Sequence, residues 1–267
     1  MVILKQPCSD QFDPKHLKLL EVIDQGGFGC VHSATYRNVP VVVKTSLKGG
    51  DEDESVAREH GNLLLMQPSG FTGIPKVGSR FTMDGREGFV MERLGTDLLK
   101  LLGKTPDRKF SLKTTLMIGI QVIKRLKSVH SCGLVHNDVK PNNLMTGPRP
   151  NTVYLIDFGI ARSYVEGGRH VERRKTRKMK GTKKYCSVGT MRGRTSSRRD
   201  DLESLAYVLV RLNTGKLPWD AILKDQTKSK KEMMREVVRS KRQEAGEICK
   251  GTCRVILVTI PYVTSGV

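Results

Sequence analysis

The chain reads as an α+β protein in two parts, a mostly β first part and a mostly helical second part that meet near Glu92 to Gly95. Three observations carry this reading. Short segments rich in β-branched residues precede Glu92. Apolar residues recur at helical spacing over residues 112 to 130 and again over 201 to 212. The length of 267 residues suits one two-lobed domain or two small ones, with enough chain to bury a substantial core. Apolar content is an ordinary 37%, which argues against wholesale disorder, and no apolar run of about eighteen residues offers a membrane span.

Taken in order, residues 17 to 23, Leu-Lys-Leu-Leu-Glu-Val-Ile, are expected to form a strand. Asp24-Gln-Gly-Gly-Phe-Gly-Cys-Val31 turns into a second, and Pro40-Val-Val-Val-Lys44 is a third. Between Glu52 and Met66, apolar Val56, Leu63, Leu64 and Met66 alternate with charge, which predicts a helix ending before Pro68. Gly88-Phe-Val-Met-Glu92 is strand-like and changes register at Leu94-Gly95. Leu116, Ile120, Ile123, Leu126 and Val129 mark the apolar side of a helix over 112 to 130. Leu134-Val135 and Val153-Tyr-Leu-Ile156 read as short strands. Asp201 to Leu212 is a second apolar-rich helix, closed by Asn213-Thr-Gly215 and Pro218. There are no internal repeats.

The chemistry concentrates in His136-Asn-Asp-Val-Lys-Pro-Asn-Asn, followed by Asp157-Phe-Gly159. Asp138 can take a proton from an attacking hydroxyl. Asn143 and Asp157 can each hold a magnesium ion against a nucleotide's phosphates, and Lys140 adds a positive charge beside the transferring group. A loose phosphoryl-transfer transition state asks for positioning and charge neutralisation, so a base and oxygen ligands for a hard cation are the expected parts. Upstream, Gly26 and Gly29 let a turn lie close over phosphates where a Cβ would obstruct. Lys44 follows in an otherwise apolar strand. A buried ammonium needs a partner, and Glu59 on the next helix can supply it and orient the lysine toward the phosphates.

The formal net charge is +20, and it is localised. Arg169 to Lys184 holds nine basic residues against one acid, Arg192, Arg194, Arg198 and Arg199 follow, and Lys224 to Arg242 holds eight against three. Such density is either a solvated basic face or an anion-binding surface for acidic or phosphorylated substrates or nucleic acid. Few aromatics interleave with these runs (Tyr185 is one), which disfavours a single-strand binder. The runs can also serve as a nuclear-import signal. The six cysteines, Cys8, Cys30, Cys132, Cys186, Cys249 and Cys253, form no paired metal-ligand spacing and are expected as free thiols. With no basic start followed by an apolar segment over Met1 to Pro14, the expected location is intracellular, in nucleus or cytoplasm.

The eight residues from His136 match the protein-kinase catalytic loop at His136, Asp138, Lys140 and Asn143. The chain as a whole resembles a eukaryotic-type protein kinase, and within that class it is most similar to the casein kinase 1 and vaccinia-related kinase group. Ser197-Arg-Arg-Asp-Asp-Leu-Glu-Ser-Leu205 and Leu217-Pro-Trp219 carry the subgroup resemblance most strongly. Gly181-Thr-Lys-Lys-Tyr185 with Ser187, Gly73-Ile-Pro75 and Phe110-Ser-Leu-Lys113 add to it. It covers residues 15 to 251, with an N-lobe over 15–91, a C-lobe over 92–251 and a divergent tail over 252–267.

The resemblance implies a two-lobed fold that transfers the γ-phosphoryl of ATP, with Mg, to serine or threonine of protein substrates. By position, Gly26, Gly29, Val31, Lys44, Glu59, Met91, Glu92 and Leu94 are the ATP-site residues. Lys44 and Glu59 are the ion pair, Met91 lies at the back of the adenine pocket, and Glu92 to Leu94 form the hinge. Asp138 is the base with Lys140 beside it, Asn143 and Asp157 are the magnesium ligands, and Asp201 anchors the catalytic-loop backbone. Casein kinase 1 enzymes favour acidic or pre-phosphorylated substrates, and Lys184, Lys230 and Lys231 fall near the basic positions that serve this. A monomer with no membrane association is expected. Three departures stand out. Asp24 replaces the first glycine of the nucleotide loop, which is expected to weaken ATP affinity at most. Asn137 replaces an arginine that reads an activation-loop phosphate in many kinases, so constitutive activity is the expectation. After Cys249-Lys-Gly251 the match fades into a strand-like tail, read as an altered or curtailed C-terminus. A catalytically weak pseudokinase or scaffold of the same fold and a basic nucleic-acid-binding module are the competing readings.

Overall fold

The computed structural model describes residues 12–26, 29–47, 51–176 and 179–250. The divergent tail, the tip of the glycine turn and Cys8 and Cys253 lie outside them. The chain divides into two compact units. The first runs up to Gly95 and includes Thr146–Ala161, and the second comprises Thr96–Met145 and the chain from Arg162 onward.

In the first unit, β1 (Leu17–Gly26), β2 (Gly29–Tyr36), β3 (Val39–Thr45), β4 (Val77–Met83) and β5 (Arg86–Glu92) form an antiparallel sheet in the order β1-β2-β3-β5-β4. The helix α1 (Asp51–Met66) lies between β3 and β4 in sequence. Two tight turns set the hairpin registers. Arg37 and Asn38 (φ 50° and 65°) join Tyr36 to Val39, and Asp84 and Gly85 (φ 52° and 71°) join Met83 to Arg86. Positive φ at both central positions matches the right-handed twist of the strands, and Asn, Asp and Gly tolerate it best.

Strand side chains alternate between faces, and β3 uses the alternation to separate packing from chemistry. Val41 and Val43 join Ala34, Phe81 and Val90 in the buried core of one face. Val42 and Lys44 point the other way, opposite Met91 and Phe89 of β5. Phe89 is buried there with its ring 5.3 Å from His60 of α1, so α1 covers the face that carries Lys44. On α1 the buried apolar positions are Val56, Leu63 and Met66. Leu64, expected with them, is 41% exposed, because it falls one residue round the helix from Leu63. The first unit also holds β8, named below.

The second unit is mostly helical. It opens with α2 (Leu98–Gly103), capped by Asp97, and α3 (Leu112–Ser131), capped by Ser111. Short strands β6 (Leu134–Val135) and β7 (Leu144–Thr146) follow, with β8 (Val153–Leu155) in the first unit. Then come β9 (Arg162–Ser163), β10 (Val165–Glu166) and β11 (Arg169–His170). The remaining helices are α4 (Val188–Met191), α5 (Arg198–Thr214), α6 (Asp220–Lys224) and α7 (Lys230–Lys250). Helix α5 starts on a capping box, Ser197 N–H donating to Asp200 Oδ2 at 2.7 Å, and ends on Gly215 at φ 78°. Gly119 of α3 lets the two central helices approach, since a Cβ there would meet Leu209 of α5 at 3.1 Å.

The buried face of α3 is Thr115, Ile118, Gly119, Val122, Leu126 and Val129. The expected stripe was offset. Ile120 is 57% exposed and Leu116 only partly buried, because the contact with α5 centres on Gly119, which carries no apolar side chain to reveal it. Helix α7 was not read from the sequence as a helix at all. It packs against α4 and α6. Cys30, Cys132 and Cys186 are free thiols, and among the described residues no helix is long and apolar enough to cross a membrane.

Candidate active site

Two constellations of side chains are built, one in each unit. In the first, Lys44 forms an ion pair with Glu59 of α1 and lies 3.2 Å from Asp157 Oδ1. Glu59 is 1% exposed and its second oxygen, Oε1, accepts the Phe158 N–H at 3.3 Å. Burial alone would lower the Lys44 ammonium, yet the charges and hydrogen bonds of Glu59 and Asp157 outweigh it and hold the group above its ordinary value. Burial pushes Glu59 upward against the pull of Lys44. The result is a lysine that stays charged, with one carboxylate shielded and the other, Asp157, 31% exposed.

Helix α1 holds the Asp157-Phe-Gly159 segment at several further points. Asn62 Nδ2 donates to the Phe158 carbonyl at 3.0 Å and Arg58 to the Gly159 carbonyl at 3.2 Å, while the Phe158 ring is fully buried. Asp157 itself has φ 66°, a left-handed conformation that Asp tolerates better than most residues. One turn therefore aims its carboxylate at Lys44 while the next residue is locked into the core.

The glycine turn closes the β1–β2 hairpin, with Gly26 paired to Gly29. The two glycines serve different ends. Gly29 has φ 139°, and a Cβ there would collide with the Thr45 carbonyl of β3, so this position is glycine for packing within the sheet. A Cβ at Gly26 would meet nothing within 4 Å. Asp24 is exposed and its Oδ1 accepts the Gln25 N–H at 2.9 Å. Val31, half-buried, pairs with Lys44, and buried Met91 pairs with Val42, which puts all four on the face carrying the lysine. Glu92 is tied to Lys76 through both backbone and side chain, and Leu94 is partly buried.

In the second unit Asp138 is 9% exposed and is held on every side. Its Oδ1 accepts the Thr182 N–H at 2.9 Å and the Thr182 hydroxyl at 2.8 Å. Its Oδ2 takes the Lys140 ammonium at 2.6 Å. Asn143 Nδ2 donates to the Asp138 carbonyl at 2.9 Å, which fixes the orientation of the amide. The Asp138 N–H donates to Nδ1 of His136, a fully buried ring. Beneath this loop Asp201 of α5 accepts from the His136 N–H at 2.8 Å, the Asn137 N–H at 2.9 Å and His130 Nε2 at 2.9 Å. Burial would raise Asp201, but the hydrogen bond and charge of His130 override it and keep the carboxyl below its ordinary value. Asn137 has φ 70°, and asparagine is among the few side chains that accept this conformation readily, which is a backbone reason for its presence.

The contacts of Thr182 with Asp138 and of His130 with Asp201 were not read from the sequence, although Thr182 lies in the Gly181-Thr-Lys-Lys-Tyr185 segment noted there. Thr182 lies 44 residues from Asp138 in sequence, so no local pattern joins them. The candidate anion-binding lysines do not form one cluster. Lys184 is paired with Asp220 at 2.6 Å. Exposed Lys230 and Lys231 instead line a groove of about 950 Å³ between α4 and α7, together with Arg192, Arg235, Arg239 and Arg242. Its apolar floor includes Met191 and Met234. Tyr185, the aromatic residue of the basic runs, is 6% exposed and offers no stacking platform.

Among the described residues no three His, Cys, Asp or Glu side chains are grouped to hold a metal ion. What is present are single oxygen donors, Asn143 Oδ1 and the Asp157 carboxylate, each fixed by its own unit. Such a sparse donor set does not suit a dedicated all-protein cage. Taken singly, each is an oxygen donor of the kind a hard cation accepts alongside waters and phosphate oxygens. A family model described as the protein kinase domain matches residues 17–255 of the chain.

Proposed function

We propose, because this chain belongs to the protein kinase domain family, that it is an active serine/threonine kinase of the casein kinase 1 and vaccinia-related kinase group. As a protein kinase it uses ATP and acts on protein. The finer reading rests on the resemblance at Gly181-Thr-Lys-Lys-Tyr185 and Ser197 to Leu205 and on the geometry around Asp138. That geometry is the observation that carries it: a carboxylate with one oxygen fixed by Thr182 and the other by Lys140 can present a constant face to a substrate hydroxyl. In this reading Asp138 accepts the hydroxyl proton and Lys140 offsets charge that develops beside it. Lys44, oriented by Glu59, binds nucleotide phosphate, and Gly26, Gly29, Val31, Met91, Glu92 and Leu94 border the nucleotide. Asn143 and Asp157 would each supply an oxygen to Mg, whose chemistry there would be to neutralise phosphate oxygens. Residues 15–251 are proposed as the kinase domain, acting as a monomer in nucleus or cytoplasm.

An acidic or phosphorylated substrate is supported by the groove between α4 and α7, where six cations meet with no lining carboxylate among the described residues. Lys184, neutralised by Asp220, contributes less to this surface than Lys230 and Lys231. The nucleic-acid alternative loses support from the burial of Tyr185. The test is phosphate transfer from Mg-ATP to an acidic peptide by purified protein, with D138N alongside. Loss of one general base is expected to reduce the rate by about 10²–10⁴-fold. Equal rates in the two proteins would remove the catalytic reading and leave the scaffold alternative.

A further inference from the structure

Helix α7 carries a lysine where a core residue belongs. Val237 and Lys241 stand one turn apart on its buried face, at 0% and 1% exposure. The Lys241 ammonium donates to the Cys186 carbonyl at 2.6 Å and to the Lys183 carbonyl at 3.0 Å. It also lies 4.8 Å from the Tyr207 ring centroid and 5.1 Å from that of Trp219, within cation–π range of both. No carboxylate bonds it among the described contacts.

The segment it holds leads directly to Asp138. Tyr185 N–H and Cys186 N–H both fold back onto the Thr182 carbonyl, at 2.9 and 2.8 Å, so residues 182 to 186 form one closed turn. Trp219 Nε1 adds a bond to the Lys184 carbonyl at 2.8 Å. The first residue of that turn, Thr182, makes the two bonds to Asp138 Oδ1. One ammonium thus holds two carbonyls of the turn, the Lys183 carbonyl taking in addition a weak bond from Cys186 Sγ at 3.7 Å, and two hydrogen bonds of the candidate base depend on the turn.

The geometry points to Lys241 as a positioning residue for phosphoryl transfer, acting through the 182–186 turn to fix Thr182 against Asp138. This rests on the reading of Asp138 as the base. Its physical basis is that buried carbonyls without a donor are unfavourable, so a turn deprived of Lys241 shifts to find water. A displacement on the order of 1 Å near reacting groups costs about 10²-fold in rate.

The test is a double-mutant cycle with K241M, T182V and the double variant, measured as kcat and KM with Mg-ATP and a serine peptide. K241M removes the donor while keeping an apolar side chain of similar length. It is expected to lower kcat by roughly 10–100-fold with the KM for ATP nearly unchanged. T182V is expected to lower kcat too, and the double variant to be no worse than about twofold below the weaker single, because both changes act at one contact. K241Q, which keeps an N–H donor, is expected between K241M and wild type, and it runs the same cycle with T182V if K241M does not fold. Unchanged kcat in K241M, or losses that multiply fully in the double variant, would overturn the proposal. The base assignment fails on a separate result, an undiminished rate in D138N.

Discussion

Lys44 is mostly and Lys241 fully shielded from solvent, and their surroundings drive them in opposite directions. Lys44 meets two carboxylates, Glu59 and Asp157, and its ammonium is held above the ordinary lysine value despite burial. Lys241 meets two carbonyls and two aromatic rings, and burial brings it down to about 8, with Cys186 and Glu203 only partly opposing the shift. The difference teaches that burial pushes both ammonium groups down and that counter-charge decides the outcome. The first arrangement suits a cation that must stay charged opposite phosphate. The second suits a mechanical tie, because a neutral amine can still donate two hydrogen bonds.

Removing each ammonium is the strongest way to break the comparison. K44M leaves Glu59 buried beside Asp157 without a cation, and breaking a buried pair from one side costs about 3–5 kcal/mol. K241M leaves only neutral acceptors, each costing about 1–3 kcal/mol, partly offset because no cation is then buried. Urea unfolding of both variants is expected to show the larger loss for K44M. Equal losses would mean that the carboxylates around Lys44 do not matter to stability.

A subtler separation comes from pH. Lys241 has a folded value of about 8 and an unfolded value near 10.5, so between those values the unfolded chain binds the extra proton. Stability from this group therefore rises as pH increases through that window. Lys44, raised in the fold, is protonated in both states across the same window and contributes no slope there. The difference in unfolding free energy between wild type and K241M, measured from pH 7.5 to 10, isolates the site from its titratable neighbours Cys186, Glu203 and Tyr207. It is expected to change with a slope approaching one proton, and a flat difference would sink the assignment.

Smaller effects are expected at the exposed charges. K230A/K231A should raise the KM for an acidic peptide by several-fold at low salt and leave a neutral peptide unaffected, since solvent-exposed attractions are screened within about 10 Å at 0.1 M salt. K184A should do less, its ammonium already being engaged by Asp220. D24G should tighten ATP by less than tenfold, because a unit-charge pair about 4 Å apart in water is worth only ~1 kcal/mol. A larger gain in D24G would show that Asp24 turns toward the triphosphate when nucleotide is bound.

The same contrast explains what was legible in the sequence. Lys44 stood out because an apolar, β-branched strand surrounds it, and Glu59 stood out as its nearest helical partner. Lys241 was hidden, since it lies in a run of eight basic residues over Lys224 to Arg242 and its contacts are distant in sequence. Helix α7 does carry a short apolar stripe at helical spacing, Met233, Met234, Val237 and Val238, but the dense basic charge around it drew the reading toward a charged surface. Thr182 lay in a noted segment, but its pairing with Asp138 was not legible for the related reason that the two meet only through tertiary folding. The glycine turn was recognised, yet Gly29 is required by the Thr45 carbonyl of β3, a constraint that no local pattern displays. The catalytic loop was legible because its parts are consecutive and each residue type has a chemical reason to be there.

The proposal that matters most is that these fixed side chains carry out phosphoryl transfer. It is tested most directly by following label from γ-labelled Mg-ATP into an acidic protein substrate, with wild type and D157N side by side. Asn keeps the shape of Asp157 beside Lys44 while removing its charge. The expected result is steady turnover by wild type and a rate lower by about 10²-fold or more in D157N, as for removal of a preorganised electrostatic group. Indistinguishable incorporation by the two proteins, or none by wild type, would contradict it.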